Sequence, residues 1–444
     1  MQTIPARHRA PANRLAVYSP LLGVLVGLTL ITIGPAQVHA QGIALRGVGP
    51  VNESMGGAAT AAPIDSIGAL LWNPASISGI CGDDMSFGMT LILPSTKLGS
   101  GFGPFGAWTD SEPGVTPVPS MGFVRHVEGT PLSYGLGIFG VGGCSVNYPC
   151  DLRNLILTPQ PPHGLGLGRL SANVDVFQIA PTVAYELNEN WSIGFAPTLT
   201  IGKLYASPLF LGPKNNADGD GFATYSSGVG TRYIWGGGFQ LGAYYTNPNG
   251  WHFGASLKSP QWMEPARYKS EDELRRPETI KFDLNYPLIA SVGVAYSGWE
   301  KWIVAVDFRY FDYANTPGFE NGGFNADGSL SGLGWESIGS MAIGVQRQLS
   351  DRLFVRGGYC LNGNPVTADS AIYNVASPLI VKNSVHTGFS YVFADNWIAA
   401  VAYTHVFEND AKGPIHDADG TIPFSWVSSK ASADAFSLGI TKRF

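Results

Sequence analysis

The chain has 444 residues, a net charge of −6 and only 14% charged residues, against about 25% in soluble globular proteins. It contains 57 glycines, and 12% of its residues are aromatic. The acidic balance argues against nucleic acid as a partner, and low charge combined with many glycines is typical of a transmembrane barrel.

Residues 1–40 have the organisation of a secretory signal peptide. Basic residues are followed by an apolar stretch over 21–33 and then by Val38-His39-Ala40, which resembles a signal peptidase site. We therefore expect cleavage after Ala40 and a mature chain that begins at Gln41. An uncleaved membrane anchor is the alternative, but small residues stand where an anchor carries polar flanks.

Residues 41–83 are rich in glycine and alanine and show no strand-like alternation. Short helices are predicted over 56–62 and 65–72. Apolar residues at 64, 67 and 70–72 are too numerous for a solvated tail, which favours a segment packed inside a barrel, here called the hatch. A disordered linker in front of the barrel is the alternative.

Period-two alternation begins at residue 84 and continues to the end of the chain. In the stretch that starts at Trp191, bulky apolar residues alternate with Ser, Gly, Ala and Thr. Small residues in the second set indicate a crowded lumen inside and lipid outside. Fourteen strands are predicted, over 84–93, 116–126, 132–142, 172–187, 191–206, 230–246, 250–260, 280–296, 300–312, 335–349, 352–361, 383–394, 396–406 and 433–444.

The connections between these strands alternate between short and long, as an even-stranded barrel with short periplasmic turns and long outer loops requires. Trp191, Trp251 and Trp397 each begin a strand after a short turn, which predicts an aromatic girdle, and the chain ends on Phe444. The sequence therefore predicts an all-β fold. We expect a 14-stranded antiparallel transmembrane β-barrel over 84–444, with the N-terminal hatch of 41–83 in its lumen.

Two hatch motifs carry a family resemblance: Met55-Gly56-Gly57-Ala58-Ala59-Thr60-Ala61 and Trp72-Asn73-Pro74-Ala75. With the segments over 179–195, 286–310 and 353–359, they resemble the FadL-type family of outer-membrane transporters for long-chain fatty acids and other hydrophobic compounds. The resemblance implies passive uptake of a hydrophobic small molecule across the bacterial outer membrane. It also implies a monomer that contacts outer-membrane lipid and lipopolysaccharide. The expected hatch residues are Met55, Gly56, Gly57, Asn73 and Pro74.

The third predicted strand carries Gly135, Gly137 and Gly140, which weaken regular pairing and favour a bulge or kink. In the resembled family this strand kinks inward and opens a lateral gap for ligand exit, so these glycines are the expected lateral gate. The alternative, that small residues only make room for the hatch, stays open. The same stretch matches G-x-G-x-x-G, but strands on both sides argue against a dinucleotide site.

Apolar residues in the outer loops predict a site of ligand capture, because an exposed apolar patch usually marks a binding surface. They are Leu209, Phe210 and Leu211 in one loop and Trp262, Met263 and Tyr268 in the next. Packing of the loops on one another as a lid is the alternative, and both interpretations can hold together. Mixed charges around 268–278 predict a solvated loop helix.

We expect no catalytic residue, metal site or cofactor. The sequence has no G-x-S-x-G nucleophile motif, and a calcium-like stretch at 216–221 lacks its closing Glu. Cys144 and Cys150, which share one loop of an exported protein, predict a disulfide. Two other functions remain as alternatives. One is a general porin for polar solutes, which needs charge clusters in its lumen, and the other is a barrel-type hydrolase.

Overall fold

Fourteen long antiparallel strands form a closed barrel in the computed structural model, which describes residues 41–444. The signal peptide expected over 1–40 lies outside the described residues. In chain order the strands are β1 Asp84–Phe102, β2 Thr116–His126, β3 Leu132–Tyr148, β4 Leu170–Glu186, β5 Trp191–Ser207, β6 Ile234–Thr246, β7 Trp251–Lys258, β8 Ile289–Tyr296, β9 Trp302–Phe311, β10 Ile338–Gln348, β11 Leu353–Asn362, β12 Asn383–Ala394, β13 Trp397–Gly413 and β14 Ser425–Arg443.

Each strand pairs with its neighbours in sequence, and β14 pairs with β1 along its whole length, which closes the barrel. Two short strands, Phe105–Asp110 and Trp262–Met263, extend the sheet on the long-loop side. Among residues 41–444, no helix is both long and apolar enough to cross a membrane. The outer loops hold further short strands, Lys214–Asn215, Thr224–Tyr225, Ser227–Thr231, Ala266–Glu271, Pro277–Phe282, Gly323–Phe324, Leu330–Gly332, His416–Asp417 and Gly420–Thr421, and the 3-10 turns Leu155–Leu157 and Ala371–Asn374.

Side chains alternate across the wall as the sequence predicts. In β5, Ile193 and Phe195 are 47% and 48% exposed on the outside, whereas Ser192 and Thr200 are buried on the inside. This alternation follows from the pleat of a strand, because successive side chains point to opposite faces. The outside is therefore an apolar band that a lipid bilayer can cover.

The predicted aromatic girdle lies at the short-turn end of the barrel. The Trp191 ring packs 4.9 Å from that of Tyr245, and the Trp251 ring packs 4.8 Å from that of Tyr296, as measured between ring centroids. Trp397 also begins its strand and lies under the ammonium group of Lys442 at 5.1 Å. Indoles with one polar edge suit the boundary between hydrocarbon and water.

The fourteen predicted strands are confirmed, but some of their bounds differ. β1 continues to Phe102 instead of ending at 93, because it stays paired with β14 beyond the predicted end. β8 begins only at Ile289, whereas the predicted strand began at 280. Long outer extensions alternate in the same way as membrane strands, so the alternation alone does not mark where the membrane ends.

The solvated helix expected over 268–278 is wrong. Ala266–Glu271 and Pro277–Phe282 instead form an antiparallel hairpin in an outer loop. Arg267 and Lys269 are exposed, while Tyr268 and Ser270, which alternate with them, are buried. The charges therefore lie on the solvent face of a strand.

The hatch occupies the lumen, and every residue from 47 to 77 is buried. It contains helix α1 Pro50–Ser54, helix α2 Ser66–Trp72 and a 3-10 turn over Pro74–Gly79. The helix expected over 56–62 is wrong, because Gly56 and Gly57 have φ angles of 66° and 88°. Those angles lie outside the right-handed helical region, so the chain turns there.

The disulfide expected between Cys144 and Cys150 is absent from the described chain. The reason is that β3 continues to Tyr148. The extended strand places the Cα atom of Tyr148 about 13 Å from that of Cys144. The next two residues would have to turn straight back to bring the Cα atom of Cys150 within the roughly 7 Å that a disulfide needs.

The cysteines differ in accessibility, which predicts a labelling pattern. Cys150 is exposed and Cys360 is fully buried. A maleimide added to the folded, unreduced protein should therefore modify Cys150 and should modify Cys360 only after unfolding. Mass spectrometry of tryptic peptides measures both. If Cys150 reacts only after a reductant is added, the disulfide exists and the fold of this loop is different.

Candidate functional site

One carboxylate of β9 fixes the hatch to the barrel wall. The Asp307 Oδ2 atom accepts hydrogen bonds from the backbone N–H groups of Ala59 and Thr60, both at 2.9 Å, and from Thr60 Oγ1 at 2.8 Å. The Arg309 Nη2 atom lies 2.7 Å from the same oxygen, and both side chains are fully buried. Three donors from the hatch and one from the wall thus converge on a single oxygen.

Arg309 extends this anchor to two further parts of the hatch. Its Nη2 atom donates to the carbonyl oxygen of Gly57 at 2.6 Å. Its guanidinium carbon lies 3.6 Å from the ring centroid of Trp72, in a cation–π contact. Trp72 is the last residue of α2, so one arginine of the wall ties the turn at Gly57 to the helix that follows it.

The Asn-Pro-Ala motif forms a second anchor. The Asn73 Nδ2 atom donates to the carbonyl oxygens of Thr60, at 2.8 Å, and of Ala243 in β6, at 3.0 Å. Its Oδ1 atom accepts from the N–H of Ala75 at 3.1 Å. Pro74 has no N–H to satisfy at the first position of the turn. The amide therefore joins the hatch to the wall and also caps the turn.

The two glycines of the hatch motif are required by close backbone contacts. A Cβ atom on Gly57 would lie 1.9 Å from the carbonyl oxygen of Arg46, and one on Gly56 would lie 3.0 Å from the backbone of Tyr359 in β11. The preceding Met55 is fully buried and packs against Gly344 of β10. Small residues on both surfaces let the hatch lie directly on the wall.

A cavity of about 60 Å³ lies between the hatch and one side of the barrel. The hatch contributes Leu45, Arg46, Gly47 and Glu53, and the wall contributes Thr90, Ile92, Val118, His386, Thr404, Val406, Ala433 and Ala435. Its lining is mostly apolar, with a few polar groups, as is usual for small-molecule sites.

The acid at the base of this cavity is held by hydroxyl groups. Thr90 donates to Glu53 Oε1 at 2.6 Å, and Ser437 donates to Glu53 Oε2. Burial raises the pKa of Glu53 to about 7, although these hydrogen bonds oppose the shift. At neutral pH this carboxyl group therefore carries only part of a negative charge.

The wall has a gap in its hydrogen bonding beside the cavity. Across residues 41–444, the pairing of β2 with β3 runs from His126–Ser133 to Ser120–Phe139 and goes no further. β3 then contains a bulge between Gly140 and Gly142 in its pairing with β4. We call the stretch bounded by residues 116–119 and 140–146 the wall gap. Val118 lines both this gap and the cavity, so the two are adjacent.

The hatch supplies backbone partners to β3 at the wall gap. The N–H of Leu45 donates to Val141 at 2.9 Å, and the N–H of Gly143 donates to Ile43 at 3.2 Å. The start of the hatch thus pairs with the third strand where β2 does not.

Of the three expected gate glycines, the structure places one at the wall gap. Gly140 lies at the bulge, where an added Cβ atom would be 2.5 Å from a methyl carbon of Val118. Gly135 and Gly137 are in the regularly paired part of β3, opposite Val124 and Gly122. There they leave room for the hatch side chain of Leu70 and for the ring of Phe139.

Most of the expected capture residues meet under the outer loops. Leu209, Phe210 and Tyr268 are buried in one apolar cluster with residues from several other outer loops, and Leu211 packs against it. Tyr268 also donates its hydroxyl to the carbonyl of Ala206 at 2.5 Å. The mutual packing of the loops, which the sequence left as an alternative, is thus present.

The two remaining expected residues lie at the side of the barrel. Met263 packs against a small cluster of Leu204, Ile234 and Ala266. Trp262 is 56% exposed and pairs with Gly237 of β6, and its ring lies 6.4 Å from that of Phe239. It extends the wall instead of joining the apolar cluster.

The lumenal histidines do not form a hydrolytic triad. His252 contacts the hydroxyls of Tyr244 and Ser297, at 3.1 and 2.9 Å, and His386 contacts those of Ser384 and Thr404, both at 2.8 Å. A Ser-His-acid arrangement requires a carboxylate hydrogen-bonded to the histidine ring. In the described chain neither of these two rings has one. The same residues contain no group of three potential metal ligands.

The alternation of β9 places Asp307 and Arg309 on the lumenal face, but nothing in the sequence predicts that they hold the hatch. Their signal was a pair of opposite charges two residues apart on the inner face of a membrane strand. Arg46 was missed altogether, because nothing in the sequence distinguishes an arginine that lines a cavity from one in solvent.

A closed barrel with an apolar outer band and a lumen occupied by its own hatch defines a plugged outer-membrane channel. The chain belongs to the family described as outer membrane protein transport protein (OMPP1/FadL/TodX), whose model matches residues 31–444. It is therefore an outer-membrane transport protein. A comparison with curated proteins finds no match.

Solved structures of the same architecture cover most of the chain. The toluene transporter TodX of P. putida is 16% identical and has a TM-score of 0.64, covering 90% of this chain and 99% of its own. The toluene transporter TbuX of Ralstonia pickettii is 18% identical with a TM-score of 0.64 and the same coverage. A FadL homologue of Pseudomonas aeruginosa is 13% identical with a TM-score of 0.65, covering 91% of this chain and 100% of its own. At these identities the likeness concerns the fold.

The anchor at Asp307 predicts the effect of its removal. Replacing Asp307 by Ala leaves Arg309 buried without its partner, which costs about 3–5 kcal/mol and shifts hatch docking more than a hundred-fold towards release. Single-channel conductance in planar bilayers should rise, while the barrel stays heat-modifiable on gels. The matched control is Asp351→Ala, in an exposed periplasmic turn, which should conduct as the unmodified protein does. Equal conductance of the two variants would mean that Asp307 does not hold the hatch.

Proposed function

We propose that the protein carries hydrophobic small molecules, such as long-chain fatty acids or aromatic hydrocarbons, passively across the outer membrane. The observation that carries this proposal is a continuous series of apolar contacts from the outer loops to the wall gap. The outer-loop cluster and a second apolar cluster that includes hatch residues share the side chain of Leu333, and the second cluster extends to Val141 at the wall gap. The toluene transporters of similar fold support this substrate class.

Capture is proposed at the outer-loop cluster, with Leu209, Phe210, Leu211, Met263 and Tyr268 as the contact residues. Their burial against other loops requires that the loops part before a ligand enters. An apolar ligand then replaces one set of apolar contacts by another, which keeps the free-energy change of entry small. Trp262, on the outside of the wall, contributes apolar surface at the base of the same loop.

Release is proposed through the wall gap, after movement of the hatch. Gly140 and the bulge beside it leave the third strand free of β2, and Val118 is the side chain that fills the opening. A hydrophobic ligand that leaves sideways enters lipid without crossing water. Gly135 assists by keeping β3 close to the hatch, and Gly137 assists by leaving room for the ring of Phe139.

The cellular setting follows from the same proposal. Residues 1–40 act as a signal peptide that is removed on export, residues 41–83 act as the hatch, and residues 84–444 act as the barrel. The barrel works as a monomer, with outer-membrane lipid and lipopolysaccharide around its apolar band. The protein is not an enzyme, needs no cofactor and does not bind nucleic acid.

A porin for polar solutes is the less supported alternative. Lumenal Lys258 donates to Gln178 at 2.9 Å, and Arg356 donates to Gln346 and Ser390, both at 2.7 Å. These charged groups are hydrogen-bonded to neighbouring wall residues, whereas in a porin such groups point into the water of the channel.

Uptake by whole cells tests the proposed function. A Gram-negative host without a transporter of this family, producing this protein, should take up radiolabelled toluene or oleate several-fold faster than the same host without it. Uptake of labelled sucrose should not change, because the hatch blocks an aqueous route. Faster sucrose uptake with unchanged toluene and oleate uptake would support the porin instead.

A designed disulfide tests the lateral route. A Cβ atom on Gly140 would lie 3.7 Å from Cβ of Val118, which is within the range of about 3.5–4.5 Å for disulfides. The variant Val118→Cys with Gly140→Cys, in a background with Cys144 and Cys150 changed to Ser, should take up hydrophobic ligand slowly when oxidised. A reductant should restore the rate.

The two single-cysteine variants serve as controls for this experiment, since they change the same side chains but cannot close the gap. Both should transport equally with and without reductant. If the oxidised, cross-linked protein transports as fast as the reduced one, ligand leaves directly to the periplasm and the lateral route is wrong.

A further inference from the structure

The first residues of the hatch are held among aromatic side chains. The hydroxyl of Tyr313 donates to the carbonyl oxygen of Gln41 at 2.8 Å. At the next residue, Gly42, a Cβ atom would lie 2.6 Å from the side chain of Tyr313 and 2.8 Å from the ring of Trp335. Both rings are buried and belong to the apolar cluster that joins the hatch to the wall. The residues that follow the expected cleavage site are therefore enclosed in the protein.

Hydrogen bonds to the third strand keep this part of the chain in place. The carbonyl oxygen of Ile43 accepts from the N–H of Gly143, and the N–H of Leu45 donates to the carbonyl oxygen of Val141. Gln41 lies only a few residues before these bonds and is itself buried. The chain end therefore has little freedom to reach solvent while the hatch is docked, and it lies close to the wall gap.

Removal of residues 1–40 would leave an α-amino group on Gln41. Such a group titrates at about pH 8, so it carries a positive charge at neutral pH. Among the described residues, the hydrogen-bond partners of 41–45 are carbonyl oxygens, N–H groups and the Tyr313 hydroxyl, and none is a carboxylate. An enclosed charge without a counterion costs free energy, so a free amine here would oppose docking of the hatch.

The side chain of Gln41 has the chemistry to remove this charge. Its amide carbon is at the distance along the chain at which attack by the α-amino group of the same residue closes a five-membered ring. The amide is also weakly held in the structure. Its Nε2 atom donates to the carbonyl oxygen of Leu45 at 3.2 Å, and its Oε1 atom is enclosed without a donor. Little hydrogen bonding is lost when the side-chain nitrogen leaves.

We propose that the mature protein begins with pyroglutamate, formed from Gln41, and that this uncharged chain end docks among the aromatic rings. The uncharged α-amino nitrogen attacks the side-chain carbon Cδ, so that a bond from this nitrogen to Cδ forms and the bond from Cδ to Nε2 breaks. The side-chain nitrogen leaves as ammonia and takes one proton from the attacking amine. Because both groups belong to one residue, the reaction is intramolecular and needs no other reactant.

The inference rests on the proposed cleavage after Ala40 and adds a covalent modification to the proposed transporter. It gives the hatch a first residue without charge at the place where, in the proposed route, hydrophobic ligand passes into lipid.

Mass spectrometry of the mature N-terminal peptide tests the modification. Outer membranes from freshly harvested cells are dissolved in cold SDS at neutral pH, and free amines are dimethylated before digestion. An isotope-labelled synthetic peptide with the sequence of residues 41–46 and a free glutamine end is added first, because it reports cyclisation caused by handling. The protein's own peptide should carry no label at its N-terminus and should be lighter than the glutamine form by the mass of one ammonia. The synthetic peptide should be dimethylated.

The other outcomes are distinct. A peptide that begins at Gln41 with a dimethylated amine overturns the pyroglutamate and leaves cleavage and transport standing. A peptide that begins at another residue overturns the cleavage site and the modification together. Uptake of labelled toluene or oleate by whole cells decides the transport function separately from both.

A matched variant tests whether loss of the charge matters for docking. Gln41→Asn keeps an amide, but its side chain is one methylene too short for the five-membered ring, so the amine remains. Conductance in planar bilayers should be several-fold higher than that of the unmodified protein, and acetylation of the amine should lower it again. The unmodified protein, acetylated in the same way, controls for reaction at lysines. Equal conductance of the heat-modifiable variant and the unmodified protein would show that the uncharged chain end does not support docking.

Discussion

In the hydrocarbon core of a membrane, every backbone N–H and C=O group needs a partner within the protein, because lipid offers none. Pairing of β14 with β1 meets this constraint for the barrel as a whole. The wall gap meets it differently. Two of the four β2 residues that border the gap are Pro117 and Pro119, which have no N–H to leave unsatisfied, and hatch residues 43–45 supply partners to β3. The discontinuity in the wall is therefore compatible with lipid, and it depends on the hatch being present.

The hatch itself combines weak and strong contacts. Its apolar surface lies against alanine and glycine of the wall, which bury little area for each residue and so stabilise docking modestly. The buried oxygen of Asp307 and the amide of Asn73 add directional contacts that hold only at one position. The hydrogen bonds of Asp307 and of Asn73 share Thr60, so a movement of Thr60 breaks both sets at once. The hatch is therefore expected to be either docked or released.

The sequence predicted the barrel well because lipid imposes a pattern that is local: each strand alternates, and Trp191, Trp251 and Trp397 follow short turns. It predicted the hatch because two motifs are specific. It did not predict contacts between distant segments, such as Asp307 with Thr60, since parity tells only which face a residue is on. The disulfide failed because the end of β3 at Tyr148 has no mark in the sequence. Pro117 and Pro119 did carry a signal for an unpaired edge, and it was overlooked.

The cavity is built from both the moving and the fixed part of the molecule, with Arg46 and Glu53 on the hatch and Thr90 and His386 on the wall. Any displacement of the hatch separates these groups, so the cavity has different affinities in the docked and displaced states. Thermodynamic reciprocity then applies: a solute that prefers the docked state keeps the channel shut, and one that prefers the displaced state opens it. Occupancy and permeability of this barrel are linked variables, and a tightly held compound can act as an inhibitor of its own passage.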